Sequence, residues 1–314
     1  MGKQSLKIAL NKLNLKTPII VASGIFSYGE IDIGYLDYKK LGAVVTKTIT
    51  INPKEGNPQP RLWETPSGMI NCIGLQNPGI KEFIRKKLYS ANIPNVKTIV
   101  SISGESVDEV KKLTEMLVKK DVKVIELNLS CPNVNRQNLM VSQNPEDTYH
   151  FVKAVKEICR SKTLIAKVSP NVTDITETAL AAEDGGADIL SLINTLKAIA
   201  IDTEKRGVIE GGLSGPAIKP VGLKAVYDTY QKVDIPLIGI GGITTGQDAL
   251  EYILAGASAI GIGSALFSNP YIADQICETL TVFLERNNLK NLSDATGLLN
   301  EKNKTGAKKS RKKH

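Results

Sequence analysis

The chain is short of the residues on which most nucleophilic and metal-dependent sites are built. It has 314 residues but only two histidines and four cysteines. His150 sits in YHFVKAVKEI, a helical pattern in which an imidazole packs or faces solvent, and His314 is the last residue. Ser-His and Cys-His catalysis is therefore set aside. Cys72, Cys131, Cys159 and Cys277 are widely separated with no CxxC, which leaves no spacing for a zinc or iron–sulfur site of the chain's own. No disulfide framework is expected. Uninterrupted apolar runs fall far short of the roughly 20 residues of a membrane span. The opening MGKQSLKIALNKLNLKTP has no apolar signal-peptide stretch, and Leu6 stands where myristoylation requires Ser or Thr. The expectation is a soluble cytoplasmic protein without a membrane partner.

At 42% hydrophobic and 23% charged residues, the chain is long and apolar enough to bury a full core. Its net charge of +8 is local, because residues 302–314 (KNKTGAKKSRKKH) carry seven Lys or Arg and no acid. The expected organisation is one domain over residues 1–301 followed by a basic, disordered tail over 302–314. A Lys run without interleaved aromatics does not point to nucleic acid.

Short β-branched runs bounded by Gly, Pro or polar residues recur at 18–23, 43–48, 97–103, 123–130, 163–169, 188–194, 236–242 and 258–264. Helix-period stretches lie between them, several opening on Ser, Thr, Asp or Asn and several closing on Gly. Strands apolar on both faces that alternate with amphipathic helices describe a parallel sheet, and eight such units describe an α/β protein of the closed (β/α)₈ barrel type. The alternative, an open doubly wound sheet, lacks GxGxxG after its first strand, where ASGIFSYGE stands. Nearly fifty residues separate the second and third strands, beginning TINPKEGNPQPRLWETPSGMINCIGLQNPG. A long Pro- and Gly-rich insertion after a barrel strand belongs over the active-site mouth.

In such a barrel the strand ends converge on one site. Here they read Ser23-Gly24, Lys47-Thr48, Ser101, Asn128 with Ser130-Cys131, Lys167, Asn194-Thr195, Gly241-Gly242 and Gly263-Ser264. Amides and lysines at the ends of apolar strands imply a polar, anionic ligand. The glycine pairs after strands seven and eight suit a phosphate held by backbone N–H groups. They also suit tight turns and would serve a phosphate-binding lyase or synthase equally well. Cys131, at the end of strand four between Asn128 and Asn133, is a lone thiol suited to moving one proton. The other three cysteines read as buried or unpartnered side chains.

NLSCPN, TPSGMINCIGLQNPG, KVSPNVTD, LINT, GGLSGPAIKP, GIGGI and GIGSA, in their order along the chain, resemble the dihydroorotate dehydrogenase family of class 1 from about Thr17 to about Pro270. The mouth loop is similar to the class 1B subgroup, which passes electrons to NAD through a separate subunit carrying FAD and an iron–sulfur cluster. The resemblance implies FMN across the mouth, its phosphate on Gly241, Gly242, Gly263 and Ser264. Lys167 would face the ring, and Ser23, Lys47, Thr48, Ser101, Asn128, Ile193 and Gly215 would complete the cofactor site. Dihydroorotate would be held by Lys47, Asn71, Gly74, Leu75, Asn128, Asn133, Asn194 and Thr195, with Cys131 as base in its oxidation to orotate during pyrimidine biosynthesis. A homodimer associated with the electron-transfer subunit is the implied assembly, and a class 1A enzyme reducing fumarate directly is the alternative within the family. Two features depart from the pattern: Ser101 replaces a usual Asn, and the loop after Asn133 differs from the usual glycine-containing one.

Overall fold

The computed structural model describes residues 4–29, 36–89, 91, 93–130, 140–204 and 206–300. Cys131, Asn133 and the basic segment from 302 onward lie outside the described residues.

The chain opens with a hairpin, β1 (Ile8–Leu10) and β2 (Leu13–Leu15), turned through Asn11 at φ +50. Its Leu10, Leu13 and Leu15 are buried, and the Asn11 side-chain amide donates to the Asp188 carbonyl. Eight parallel strands follow: β3 (Ile19–Val21), β4 (Ala43–Val45), β7 (Lys97–Ile102), β8 (Val124–Asn128), β9 (Thr163–Lys167), β10 (Ile189–Leu192), β13 (Leu237–Ile240) and β14 (Ala259–Ile262). They pair in chain order, and β14 closes on β3 through Ile260, Gly261 and Ile262 opposite Ile19, Ile20 and Val21. The (β/α)₈ barrel read from the eight apolar runs is the observed fold, and each run contains one barrel strand. Nearly every residue of these strands is buried, as expected where one face fills the barrel and the other meets helices.

The helices begin at caps visible in the sequence. After the short α1 (Gly79–Glu82) and a π turn over Phe83–Lys87, α2 (Val107–Val118) is capped by Ser106, whose side chain accepts from the Glu109 N–H. Its buried Val110, Leu113, Thr114 and Leu117 form one stripe toward the sheet. Asn144 and Asp174 cap α3 (Pro145–Ile158) and α4 (Ile175–Asp184) in the same way. α5 (Lys219–Lys232) is followed by α6 (Gly246–Ala255), which starts at a reciprocal Thr245–Asp248 capping box and ends at Gly256 with φ +130. α7 (Ala265–Ser268) and α8 (Ile272–Arg286) complete the ring.

Two insertions build a second sheet at the mouth. The predicted one after the second barrel strand supplies β5 (Leu62–Thr65) and β6 (Gly68–Asn71). A second, after the sixth barrel strand, supplies β11 (Leu196–Asp202) and β12 (Gly207–Ser214). They join as one antiparallel sheet in the order β11-β12-β6-β5, with Gly212, Leu213 and Ser214 opposite Asn71, Ile70 and Met69. The rhythm of the barrel is thus broken twice, whereas the sequence reading noticed one break. Among the described residues no helix is long and apolar enough to cross a membrane.

Candidate active site

The C-terminal ends of the strands and the antiparallel sheet enclose a cavity of about 290 Å³. Its barrel side is walled by Ser23, Gly24, Lys167, Ile193, Asn194, Thr195, Gly241, Gly242, Gly263 and Ser264. Its cap side is walled by Leu62, Met69, Asn71, Ser214 and Gly215. Eleven of the residues to which the resemblance assigns cofactor or substrate therefore face one space.

Three more join them through hydrogen bonds. Ser23 Oγ donates to the Thr46 carbonyl at 2.8 Å and lies 3.3 Å from Thr48 Oγ1. Thr48 Oγ1 is 3.0 Å from Ser101 Oγ, and Asn128 Nδ2 reaches the same hydroxyl at 3.5 Å. On the other side Asn194 Nδ2 donates to Ser130 Oγ at 2.8 Å and to Asn128 Oδ1 at 3.4 Å, while Asn194 Oδ1 accepts from the Thr195 N–H at 2.9 Å. Polar side chains from five barrel strand ends thus hold one another in fixed orientations. Inside an apolar barrel this satisfaction is what makes their burial affordable, and a linked network is stiffer than separate contacts.

Lys47, Gly74 and Leu75 are not among the residues walling this cavity. Lys47 is half-buried just past β4, and its backbone N–H donates to the Ser27 carbonyl. Burial, and secondly the Arg61 guanidinium, pull its ammonium pKa below the ordinary lysine value. Two cations that repel each other favour an anion near them. Gly74 and Leu75 form a turn with φ +71 and +52, and a Cβ at Gly74 would sit 2.7 Å from Asn57 Oδ1. Asn77 Nδ2 donates to the Leu75 carbonyl at 2.7 Å, fixing that turn.

The glycine end of the cavity is organised by Asp248. Its carboxylate accepts from the Thr244 and Thr245 N–H groups at 2.9 Å and takes an ion pair from Lys219 at 2.6 Å. Burial alone would raise its pKa, but these hydrogen bonds bring it down to about 2. The β13–α6 turn is thereby pinned with its backbone toward the cavity. Gly242, at φ +66, tolerates no side chain, because a Cβ would meet Lys219 N at 2.7 Å and the Gly215 carbonyl at 2.9 Å.

The residues present fit the FMN that the resemblance implies. At Gly24 and Gly263 an added Cβ would meet no atom within 4 Å, so bare backbone faces open space at either side of the cavity. A phosphate is suited to the glycine end, where Ser264 stands at the start of α7 and the β13–α6 turn closes the wall. Lys167, 7% exposed at the end of β9, brings a cation to the barrel axis. Sequence reading missed Arg61 beside Lys47 and Glu126 within β8. The signal for Glu126 was its spacing: it lies two residues before Asn128, on the same inward face of the strand.

A family model for dihydroorotate dehydrogenase matches residues 5–284. The chain is 46% identical over 304 residues to the dihydroorotate dehydrogenase B (NAD(+)) catalytic subunit of Geotalea uraniireducens, covering 95% of this chain and 99% of that one. It is 44% identical to the catalytic subunit of the same name from Thermoanaerobacter pseudethanolicus, covering 94% and 99%. It is 46% identical to that of Desulforudis audaxviator, covering 92% and 96%.

Proposed function

The chain belongs to the dihydroorotate dehydrogenase family, and from that premise we propose that its mouth oxidises dihydroorotate to orotate in pyrimidine biosynthesis, with electrons passed to NAD through a separate subunit. The observation that carries this reading is the linked set of Ser23, Thr48, Ser101, Asn128 and Asn194 under a glycine-walled cavity with one buried lysine.

Bound there, FMN supplies a two-electron acceptor for the hydride that leaves C6 of the substrate. Gly241, Gly242, Gly263 and Ser264 hold its phosphate, and Ser23, Thr48, Ser101, Ile193 and Gly215 line the remainder. Lys167 places positive charge where reduction of the ring adds negative charge. Asn71, Asn128, Asn133, Asn194 and Thr195 offer paired donors and acceptors to a planar cyclic amide. Lys47 takes the substrate carboxylate, and the Gly74–Leu75 turn is assigned to the substrate beside it. The Cys131 Sγ accepts the proton from C5 as the hydride departs, so the bond between C5 and C6 becomes double and the charge balances.

The relatives are named NAD(+)-linked catalytic subunits, and an electron-transfer partner follows for this chain. We assign FAD and an iron–sulfur cluster to that partner, and a homodimer of this chain to the core of the assembly. Purified chain should show flavin absorbance that bleaches on anaerobic addition of dihydroorotate. It should reduce an artificial dye, and reduce NAD only with the partner present. Absence of flavin absorbance even after reconstitution with FMN would refute the proposal, and rapid fumarate reduction would move the chain to class 1A.

A further inference from the structure

The eight barrel strands contain one acidic side chain, Glu126 of β8. It is 2% exposed, and nothing in the proposed chemistry uses it. A buried carboxylate is costly unless its hydrogen-bonding capacity is met. Glu126 Oε1 accepts from Ser101 Oγ at 3.0 Å, directly across the β7–β8 pairing in which Ser101 faces Glu126.

That contact fixes the proton order of the whole chain of hydroxyls. A serine hydroxyl has one proton. That of Ser101 goes to Glu126 and that of Ser23 goes to the Thr46 carbonyl. Ser101 and Ser23 therefore present only lone pairs to Thr48, which lies 3.0 and 3.3 Å from them. Thr48 donates to the nearer of them, Ser101, and receives the Asn128 amide at 3.5 Å, so both lone pairs of Ser23, at the cavity wall, stay free to accept. Without the carboxylate the Ser101 proton turns to Thr48. Thr48 must then donate to Ser23, and one of those two acceptor positions is taken up.

We propose that Glu126 is a positioning residue for the cofactor: acting through Ser101 and Thr48, it sets the direction of the hydrogen bonds that the barrel wall offers to FMN. The inference rests on the FMN reading above.

The test is FMN affinity of the apoprotein, read by quenching of flavin fluorescence on uptake, with circular dichroism confirming that each variant folds. E126L and S101A should each weaken FMN binding by about tenfold, the worth of one buried hydrogen bond. The double variant E126L/S101A should be no worse than either single one, because both cut the same link. E126Q, whose amide oxygen still accepts from Ser101, should stay within about twofold of the wild type. Wild-type affinity in E126L, additive losses in the double variant, or an E126Q as weak as E126L would each overturn the role of Glu126 while leaving the FMN reading intact. A wild type that takes up no FMN would overturn both. Should E126L fail to fold, S101A carries the test: wild-type affinity there removes the link.

Discussion

At the C-terminal end of the barrel a cavity of about 290 Å³ is bounded by half-buried amides, hydroxyls and one buried lysine that hydrogen-bond or stand in register across neighbouring strands. At the N-terminal end a hollow of about 710 Å³ lies among Lys12, Lys97, Lys120, Lys123 and Lys162, with Asp121. Four of those five lysines are exposed, and Asp121 already takes Lys123 at 2.6 Å and Lys162 at 2.9 Å. The larger hollow thus presents hydrated charges on flexible stems, and the smaller one presents partly dehydrated groups in fixed orientations. Binding and catalysis draw on the second kind of surface, because preorganised polar groups in a low-dielectric site interact strongly and need no reordering. Volume alone would point to the other end.

The sharpest way to break this contrast is to disable chemistry at the mouth while leaving the fold untouched. Cys131→Ser replaces the proposed base with a hydroxyl that is far harder to deprotonate near neutrality. Reduction of bound flavin by dihydroorotate, followed by stopped-flow absorbance, should slow by about 10²–10⁴. The bound flavin spectrum should be kept. Equal rates at pH 7 would assign the base to another group.

Next in size is the anion site. Lys47→Ala should weaken dihydroorotate binding by about 10–100-fold, the range expected for losing a hydrogen bond to a charged group. Dissociation constants from flavin perturbation titrations would show it, and a loss below threefold would remove Lys47 from the carboxylate site.

The two regions also differ in how far sequence revealed them. Barrel strands such as TLIAK of β9 are buried at every position, so they read as continuous apolar runs. The cap strands do not. β11 turns Ala198 and Ala200 inward and Ile199 and Ile201 outward, which inverts the usual alternation and hides the strand. β12 carries three glycines, and at Gly211 and Gly212 a Cβ would collide with the Asn71 carbonyl at 2.3 Å and Thr195 Oγ1 at 2.1 Å. Those glycines look like a loop, yet they let two insertions close against the strand ends. The N-terminal hairpin read only as a segment without an apolar signal-peptide stretch. Site residues at strand ends were legible because a barrel fixes where those ends point. Glu126 was hidden by lying inside an apolar run, and Arg61 by lying in an insertion whose path no local pattern sets.

A finer contrast lies within the mouth, in the pH dependence of Lys47. Its pKa is lowered first by burial and then by Arg61. The ammonium is charged below that pKa and neutral above it. Affinity for anionic dihydroorotate should therefore hold at lower pH and fall as pH rises through a value below that of an ordinary lysine. Arg61→Ala removes the second cause and leaves the first, so the falling limb should move to higher pH by part of the displacement. A limb that stays in place would show that Arg61 does not reach Lys47 electrostatically.

The smallest effect belongs to the opposite end, and it tests the contrast from its other side. Lys97 and Lys123 lie at the edges of the wide hollow, where both are exposed. Lys123 engages an aspartate whose pKa is lowered by hydrogen bonds from Lys123 and Lys162 in full solvent contact. Exposed ion pairs of this kind contribute little, since water screens the attraction and the long side chains lose freedom in forming it. The strand starts beneath them stay anchored by buried Val100, Val124 and Thr163. Replacing both lysines with alanine should therefore leave FMN affinity, the rate of flavin reduction by dihydroorotate and the Tm of the holoprotein unchanged. A change in the first two with the Tm unaltered would mean that the N-terminal hollow communicates with the mouth along the barrel axis, and the division of labour between the two ends would fail.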